Sequence, residues 1–135
     1  MAYFNWNESL ATGIPVIDEQ HKKLVGFVNQ LSEAMTAGKG KDFIGKLLDE
    51  LVAYTQYHFA LEERNFAKYN FPFSASHTKA HHDLINQVTQ FVERHKKSEV
   101  AMSIEILSFL TNWVKDHIMK EDMKYVQHFA GKLIN

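Results

Sequence analysis

Histidine carries most of the chemical information in this sequence. The chain has eight histidines and no cysteine among its 135 residues, so any bound metal must be held by nitrogen and oxygen ligands. Two pairs share a four-residue spacing, His58 with Glu62 and His77 with His81. Residues four apart lie on one face of an α-helix, so each pair could offer two ligands to one ion. Each pair alone is a weak signal.

The segment HIMKED, residues 117–122, places one histidine before two acids. Glu121 follows His117 by four residues and Asp122 follows it by five. On a continuous α-helix five residues correspond to a rotation of about 140°, against about 40° for four. Helix geometry alone therefore favours Glu121 as the carboxylate that works with His117.

Four amphipathic helices must position these side chains. Pro15 and Pro72 lie outside the periodic segments, and Ser74 or Ser76 is the expected N-cap of the third helix,. The pattern predicts an all-α, up-down-up-down four-helix bundle with a non-helical N-terminal arm and a short C-terminal helix, about 121–133. Apolar residues recur at helical spacing over about 18–35, 42–66, 76–95 and 100–118,.

Each predicted helix carries at least one histidine on its apolar face, and antiparallel packing brings these histidines to the same end of the bundle. A single histidine on an apolar face is usually a hydrogen-bonded core residue. Several unpartnered polar groups, at roughly 1–3 kcal/mol each, would consume a small domain's stability of about 5–15 kcal/mol. A metal centre is therefore predicted. The five converging histidines are His21, His58, His77, His81 and His117.

The number of donors favours two metals. Five histidines, Glu62 and one acid of HIMKED exceed what a single six-coordinate ion can accept together with a substrate. The other three histidines are expected to be structural. His82 points away from the stripe, His95 lies at the far end of its helix, and His128 lies beyond the fourth helix.

Composition describes a soluble globular chain. Apolar residues make up 45% and charged residues 23%, with a formal net charge of −1. There is no basic block for nucleic acid, no polybasic cluster for a membrane, no signal peptide and no apolar run long enough to span a bilayer. We expect a single cytoplasmic domain over residues 1–135.

The complete pattern resembles the hemerythrin family of non-haem di-iron oxygen-binding proteins, and most closely its bacterial single-domain branch. The resemblance covers essentially the whole chain, and the combined order H…HxxxE…HxxxH…HxxxxD is highly specific. The matching features are Trp6 and the segments GIPVIDEQHKKL (13–24), YHFALEE (57–63), HTKAH (77–81) and NWVKDHIMKED (112–122).

This resemblance implies two iron ions bridged by Glu62, Asp122 and an oxo or hydroxo group. It selects Asp122 over Glu121, which requires the fourth helix to stop or kink between residues 118 and 121. It also implies two sets of terminal ligands: His77, His81 and His117 on one iron, and His21 and His58 on the other.

The coordination count leaves one open position, on the iron with two histidines, where dioxygen would bind. Ferritin-like di-iron sites use four carboxylates and two histidines. More neutral nitrogen ligands make highly oxidised iron less accessible and so favour reversible binding. Candidate pocket residues are Phe59, Trp113, Val114 and Ile118, although each could be ordinary core packing. Val114 departs from the family, which usually has leucine there, and a smaller side chain would loosen the pocket.

Reversible dioxygen binding, without enzymatic turnover, is the leading hypothesis, with a role as carrier, store or delivery protein. One alternative is an oxygen or redox sensor, whose mark would be a fused output domain. Another is a di-iron enzyme acting on peroxide or nitric oxide, and a di-zinc hydrolase is a weaker fourth. Dioxygen is the expected ligand, and a protein partner for delivery is not identifiable from the sequence.

Overall fold

The computed structural model describes residues 3–97 and 102–135. Within these ranges the chain is helical and contains no strand. A single 3-10 turn in the N-terminal arm, Glu8–Leu10, is a small departure from the non-helical arm that we expected. The α-helices are α1 (Pro15–Thr36), α2 (Lys41–Lys68), α3 (Ser74–Lys96), α4 (Met102–Asp116) and α5 (Met123–Val126), and α4 and α5 are joined by a π-helical segment, His117–Asp122.

Packing of the four long helices confirms the predicted bundle. Helix α1 packs against α2 and α4, and α3 packs against the same two neighbours. Each helix thus lies beside the one that follows it in sequence, and α4 returns to α1. Short connections at 37–40 and 69–73 force the helices they join to run antiparallel,.

Helix α1 begins three residues earlier than its apolar stripe, and Pro15 is its first residue. We had placed this proline outside the helix. At the first helical position the missing N–H costs nothing, because that group has no partner inside the helix. The Asp18 carboxylate accepts hydrogen bonds from the Thr12 N–H at 2.8 Å and from the Gly13 N–H at 3.1 Å. These bonds tie the arm to the first turn of α1.

Helix α3 also begins earlier than expected. Phe73 is its N-cap and Ser74 its first residue, and no side chain caps the helix. The prediction that a serine caps this helix is therefore wrong. The expected start of the fourth helix, at residue 100, lies outside the described residues.

Two separate apolar clusters fill the bundle. The larger extends along all four long helices and includes Leu24, Leu48, Leu84 and Leu110. The smaller lies at the end where α1 and α3 begin, and its buried members are Ile17, Leu61, Phe66, Phe71, Tyr125 and Phe129.

The fourth helix widens in the segment where the family resemblance required a distortion. From His117 to Asp122 the chain is π-helical, with hydrogen bonds between residues five apart. Residues five apart consequently come to the same side, so His117 and Asp122 both point inward and are buried. The Glu121 side chain is 34% exposed. We had expected the helix to stop or kink between residues 118 and 121. It does not stop: the distortion adds one residue to a turn, and the chain continues into α5.

Among the described residues, no helix is both long and apolar enough to cross a membrane.

Candidate metal centre

Seven polar side chains meet at one level of the core, between the two apolar clusters. They come from α1, α2, α3 and the π-helical segment. None is more than 6% exposed, a value reached at His117. The seven are His21, His58, Glu62, His77, His81, His117 and Asp122.

Asp122 lies at the centre of the cluster. Its Oδ1 is 2.8 Å from Nε2 of His77 and 3.0 Å from Nε2 of His117. Its Oδ2 is 3.0 Å from Nε2 of His21. One carboxylate therefore faces histidines of three helical segments, each of its oxygens toward a different side.

Glu62 lies opposite and also faces several histidines. Its Oε1 is 3.2 Å from Nε2 of His81 and 3.5 Å from Nε2 of His58. Its Oε2 is 3.9 Å from Nε2 of His21. Because α2 is regular here, Glu62 and His58, four residues apart, share a face as the spacing predicted,.

The donor atoms form two overlapping groups, within each of which all atoms lie within 4.8 Å of one another. Each group is compact enough for its members to reach a common ion. Both groups contain the two carboxylates, Glu62 and Asp122. One group adds His77, His81 and His117, and the other adds His21 and His58.

Several of these inward-facing atoms lack hydrogen-bond partners within the described part of the chain. They include Nε2 of His21 and of His81, Oε1 of Glu62, and both oxygens of Asp122. Histidine nitrogens and carboxylate oxygens in the cluster approach to about 3 Å, but the N–H groups are not aligned with the oxygens as a hydrogen bond requires. Buried polar atoms without partners cost free energy. A donor set of imidazole nitrogens and carboxylate oxygens directed at one space fits transition-metal ions such as iron or zinc.

The ionisation states of His58 and of the two carboxylates suit metal binding. Burial lowers the pKa of His58 to about 4, against the opposing effect of Glu62, so its ring is neutral at pH 7. Burial acts to raise the pKa of Asp122, but His117 and the other facing histidines hold it well below its usual range. The pKa of Glu62 is lowered as well, because His58 and His81 outweigh burial and the nearby Asp122 charge. The cluster therefore presents charged carboxylates, which can bind a cation without losing a proton.

A second layer of hydrogen bonds holds three of these side chains from outside. Nδ1 of His58 is 2.6 Å from Oε1 of Gln20, and Nδ1 of His81 is 2.8 Å from Oε2 of Glu63. The hydroxyl of Tyr125 donates to Oε2 of Glu62 at 2.6 Å. Burial, reinforced by the two carboxylates, raises the pKa of Tyr125 well above its usual value, so its hydroxyl remains a donor.

Sequence reasoning missed Gln20, Glu63 and Tyr125. Each adjoins or nearly adjoins a predicted ligand, since Gln20 precedes His21, Glu63 follows Glu62, and Tyr125 comes three residues after Asp122. The available signal was a polar side chain beside a ligand on the same helix. It is weak, because most such side chains face solvent.

Two of the four predicted pocket residues contact side chains of the cluster. The ring of Phe59 stacks on His81 with centroids 3.6 Å apart, and that of Trp113 stacks on His117 at 4.2 Å. Val114 and Ile118 are buried in the larger apolar cluster. Val114 and Trp113 border a small apolar cavity of about 20 Å³, which Leu24, Leu110 and other core residues close.

The remaining three histidines lie outside the cluster. His82 is exposed. Nε2 of His95 lies 2.9 Å from the Lys41 carbonyl oxygen, and Nε2 of His128 lies 2.6 Å from the Tyr69 carbonyl oxygen. Each of these two rings is thus satisfied by backbone, away from the cluster.

Fold and cluster together define a four-helix-bundle protein with a buried site that can bind metal ions. The chain belongs to the hemerythrin family. Residues 12–129 match the family model described as the hemerythrin HHE cation binding domain, which confirms the resemblance drawn from the motifs.

Relatives and solved structures agree with this assignment. The chain is 37% identical to a bacteriohemerythrin of Pseudomonas aeruginosa (strain LESB58), with 99% of this chain and 88% of the relative covered. It is 34% identical to a hemerythrin-like protein of Naegleria gruberi, with 90% of each covered. A crystal structure of wild-type hemerythrin superposes with a TM-score of 0.87 at 28% identity, over 96% of this chain and all of the other.

Proposed function

We propose that the seven side chains of the cluster hold two iron ions and that the protein binds dioxygen reversibly at them. The observation that carries this proposal is the pair of donor groups that share Glu62 and Asp122. Two groups with two common carboxylates suit two ions better than one. Family membership supports iron as the metal and dioxygen as the ligand.

The residues have distinct proposed roles. Glu62 and Asp122 would bridge the two ions, and an oxo or hydroxo group would complete the bridge. His77, His81 and His117 would bind one ion through Nε2, and His21 with His58 would bind the other. This division follows the two donor groups and leaves one ion with fewer protein ligands. The iron pair, when bound, supplies the electrons that dioxygen binding requires.

The surrounding aromatic and aliphatic side chains would keep water out. Phe59 and Trp113 stack on the rings of His81 and His117, and Val114 and Ile118 are buried apolar side chains. Restricting water and protons favours release of the ligand unchanged over irreversible oxidation. We therefore propose a cytoplasmic carrier, store or delivery protein for dioxygen rather than an enzyme.

Metal analysis and optical spectroscopy of the purified protein test this proposal. We expect two irons per chain and a visible charge-transfer band that appears in air and disappears on deoxygenation. A colourless protein with two zincs would overturn it. Sustained consumption of peroxide or nitric oxide by the reduced protein would instead indicate an enzyme.

A further inference from the structure

The two donor groups differ in the hydrogen-bond acceptor that faces the outward Nδ1 atom of one of their histidines. His58 and His81 each direct Nδ1 away from the cluster, toward one side-chain oxygen. The partner of His58 is an amide, Gln20, whereas that of His81 is a carboxylate, Glu63. A carboxylate or an amide oxygen only accepts, so in both cases the ring N–H donates outward and Nε2 keeps its lone pair for the cluster.

The accepting groups differ in charge. A hydrogen bond to a carboxylate is roughly twice as strong as one between neutral groups. It draws the proton of Nδ1 outward and makes Nε2 a more basic ligand. The amide of Gln20 fixes the ring of His58 without adding charge. Elsewhere in the described cluster, Nδ1 of His21 and of His77 has no hydrogen-bond partner, so neither ring offsets the difference.

The partners also differ in exposure. Gln20 is 6% exposed, whereas the Glu63 side chain is 32% exposed. Glu63 borders an open groove of about 310 Å³ between α2 and α3, together with His82 and Asn86. Its carboxylate therefore contacts both solvent and a buried histidine, and its negative charge lies behind the donor group that contains His81.

We propose that Glu63 is a positioning residue that makes the donors of the two metal positions differ in strength. Through His81 it strengthens retention of the ion held by His77, His81 and His117, and it makes that ion easier to oxidise. Gln20 leaves the ion held by His21 and His58 with weaker donors. This inference rests on the proposed di-iron site, and it assigns to Glu63 a role that no spacing rule indicates.

The test compares charge-altering variants loaded anaerobically with Fe(II). In Glu63→Gln, one of the two irons should pass to a competing chelator about tenfold faster or more, while the other keeps its rate. The midpoint potential of the first oxidation should rise. Gln20→Glu should act in the opposite direction on the other iron, and Glu63→Asp should restore part of the retention. Glu50→Gln, an exposed change of the same charge on the same helix, should leave both quantities unchanged.

Several outcomes would overturn the proposal. One is a Glu63→Gln protein that matches Glu50→Gln in both iron release and potential. Another is a Glu63→Gln protein that loses both irons equally fast. If Glu63→Gln does not fold, the outcome rests on Gln20→Glu, and an unchanged potential there refutes the inference. If the parent protein itself fails to bind two irons, the proposed function fails instead, so the two failures are distinguishable.

Discussion

Two neighbouring acids at the end of the fourth helix have opposite environments. Asp122 is 1% exposed and has three histidine nitrogens within about 3 Å. Glu121 lies at the surface, 3.3 Å from the ammonium of Lys124. A surface pair of this kind contributes little, whereas a buried carboxylate among histidines requires compensation by a cation.

The first prediction separates these two acids. Asp122→Asn keeps the side-chain shape but removes the charge, so we expect at least tenfold weaker metal binding, measured by titration with Fe(II) under anaerobic conditions. Glu121→Gln is the matched control and should bind as the parent does. Loss of binding in Glu121→Gln alone would show that the assignment of Asp122 is wrong.

A second prediction concerns the small cavity beside Val114. Val114→Leu adds one methylene group at the cavity wall, which should raise the free energy of unfolding by about 0.8 kcal/mol, measured in urea. It should also slow autoxidation of the iron-loaded protein, since a fuller wall admits less water. Val92→Leu, in a buried position that does not border this cavity, should leave autoxidation unchanged. Equal autoxidation rates for Val114→Leu and the parent would refute the second part.

Residue by residue, the sequence predicted best what helical spacing controls. The five clustered histidines and Glu62 continue apolar stripes, so their inward direction follows from regular α-helix geometry. Asp122 does not, and only the family resemblance selected it. Gln20 and Glu63 were missed because their hydrogen bonds join different helices, at sequence separations of 38 and 18 residues. Spacing along one helix contains no information about such pairs.

Among the helical elements, the π-helical segment determines which side chains of the following helix α5 face the core. One added residue brings Asp122 inward and also places Tyr125, three residues later, where its hydroxyl reaches Glu62 at 2.6 Å. Tyr125 is fully buried in the smaller apolar cluster. The wide turn therefore positions the carboxylate of Asp122 and also Tyr125, whose hydroxyl donates a hydrogen bond to Glu62.

Inserting one alanine after Met119 tests this role of the wide turn. If the segment still widens by only one residue, the insertion rotates Asp122 and Tyr125 by about 100° away from the cluster and from Glu62. We expect the free energy of unfolding to fall by about 2–4 kcal/mol through lost burial and a lost hydrogen bond, measured by urea denaturation. Met119→Ala is the control, since Met119 is 41% exposed, and it should change stability by less than about 0.5 kcal/mol. Equal stabilities for the insertion variant and the control would contradict this role.

For the whole molecule, the bundle was predictable because each apolar stripe spans several turns and the connections are short. The ends of the helices were less predictable. Pro15 and Ser74 lie inside helices because a helix can begin before its apolar stripe does, which periodicity does not reveal. The distortion at 118–121 could be located, but its form could not, since a π-turn, a kink and a stop all satisfy the same spacing.

Removing the metal should destabilise the whole bundle. Ions that bind only the folded state add about 2.7 kcal/mol when present at 100 times their dissociation constant. We therefore expect the thermal midpoint to fall by roughly 10 °C after chelation, measured by calorimetry at fixed protein concentration. Asp122→Asn should show little difference between metal-loaded and chelated samples. An unchanged midpoint for the chelated parent would exclude a stabilising metal site.

The layer of seven polar side chains also separates two apolar clusters of unequal size. Phe59 connects the layer to the larger apolar cluster, and Phe66 and Tyr125 connect it to the smaller one. Without metal, the buried polar groups of the layer lack a compensating cation, so we expect the smaller apolar cluster to open locally before the whole chain unfolds. In hydrogen–deuterium exchange, amides at 125–129 should consequently lose protection on chelation, while those at 47–51 keep theirs. A bound cation would thus stabilise the contact between the two apolar clusters as well as provide a binding position for a ligand.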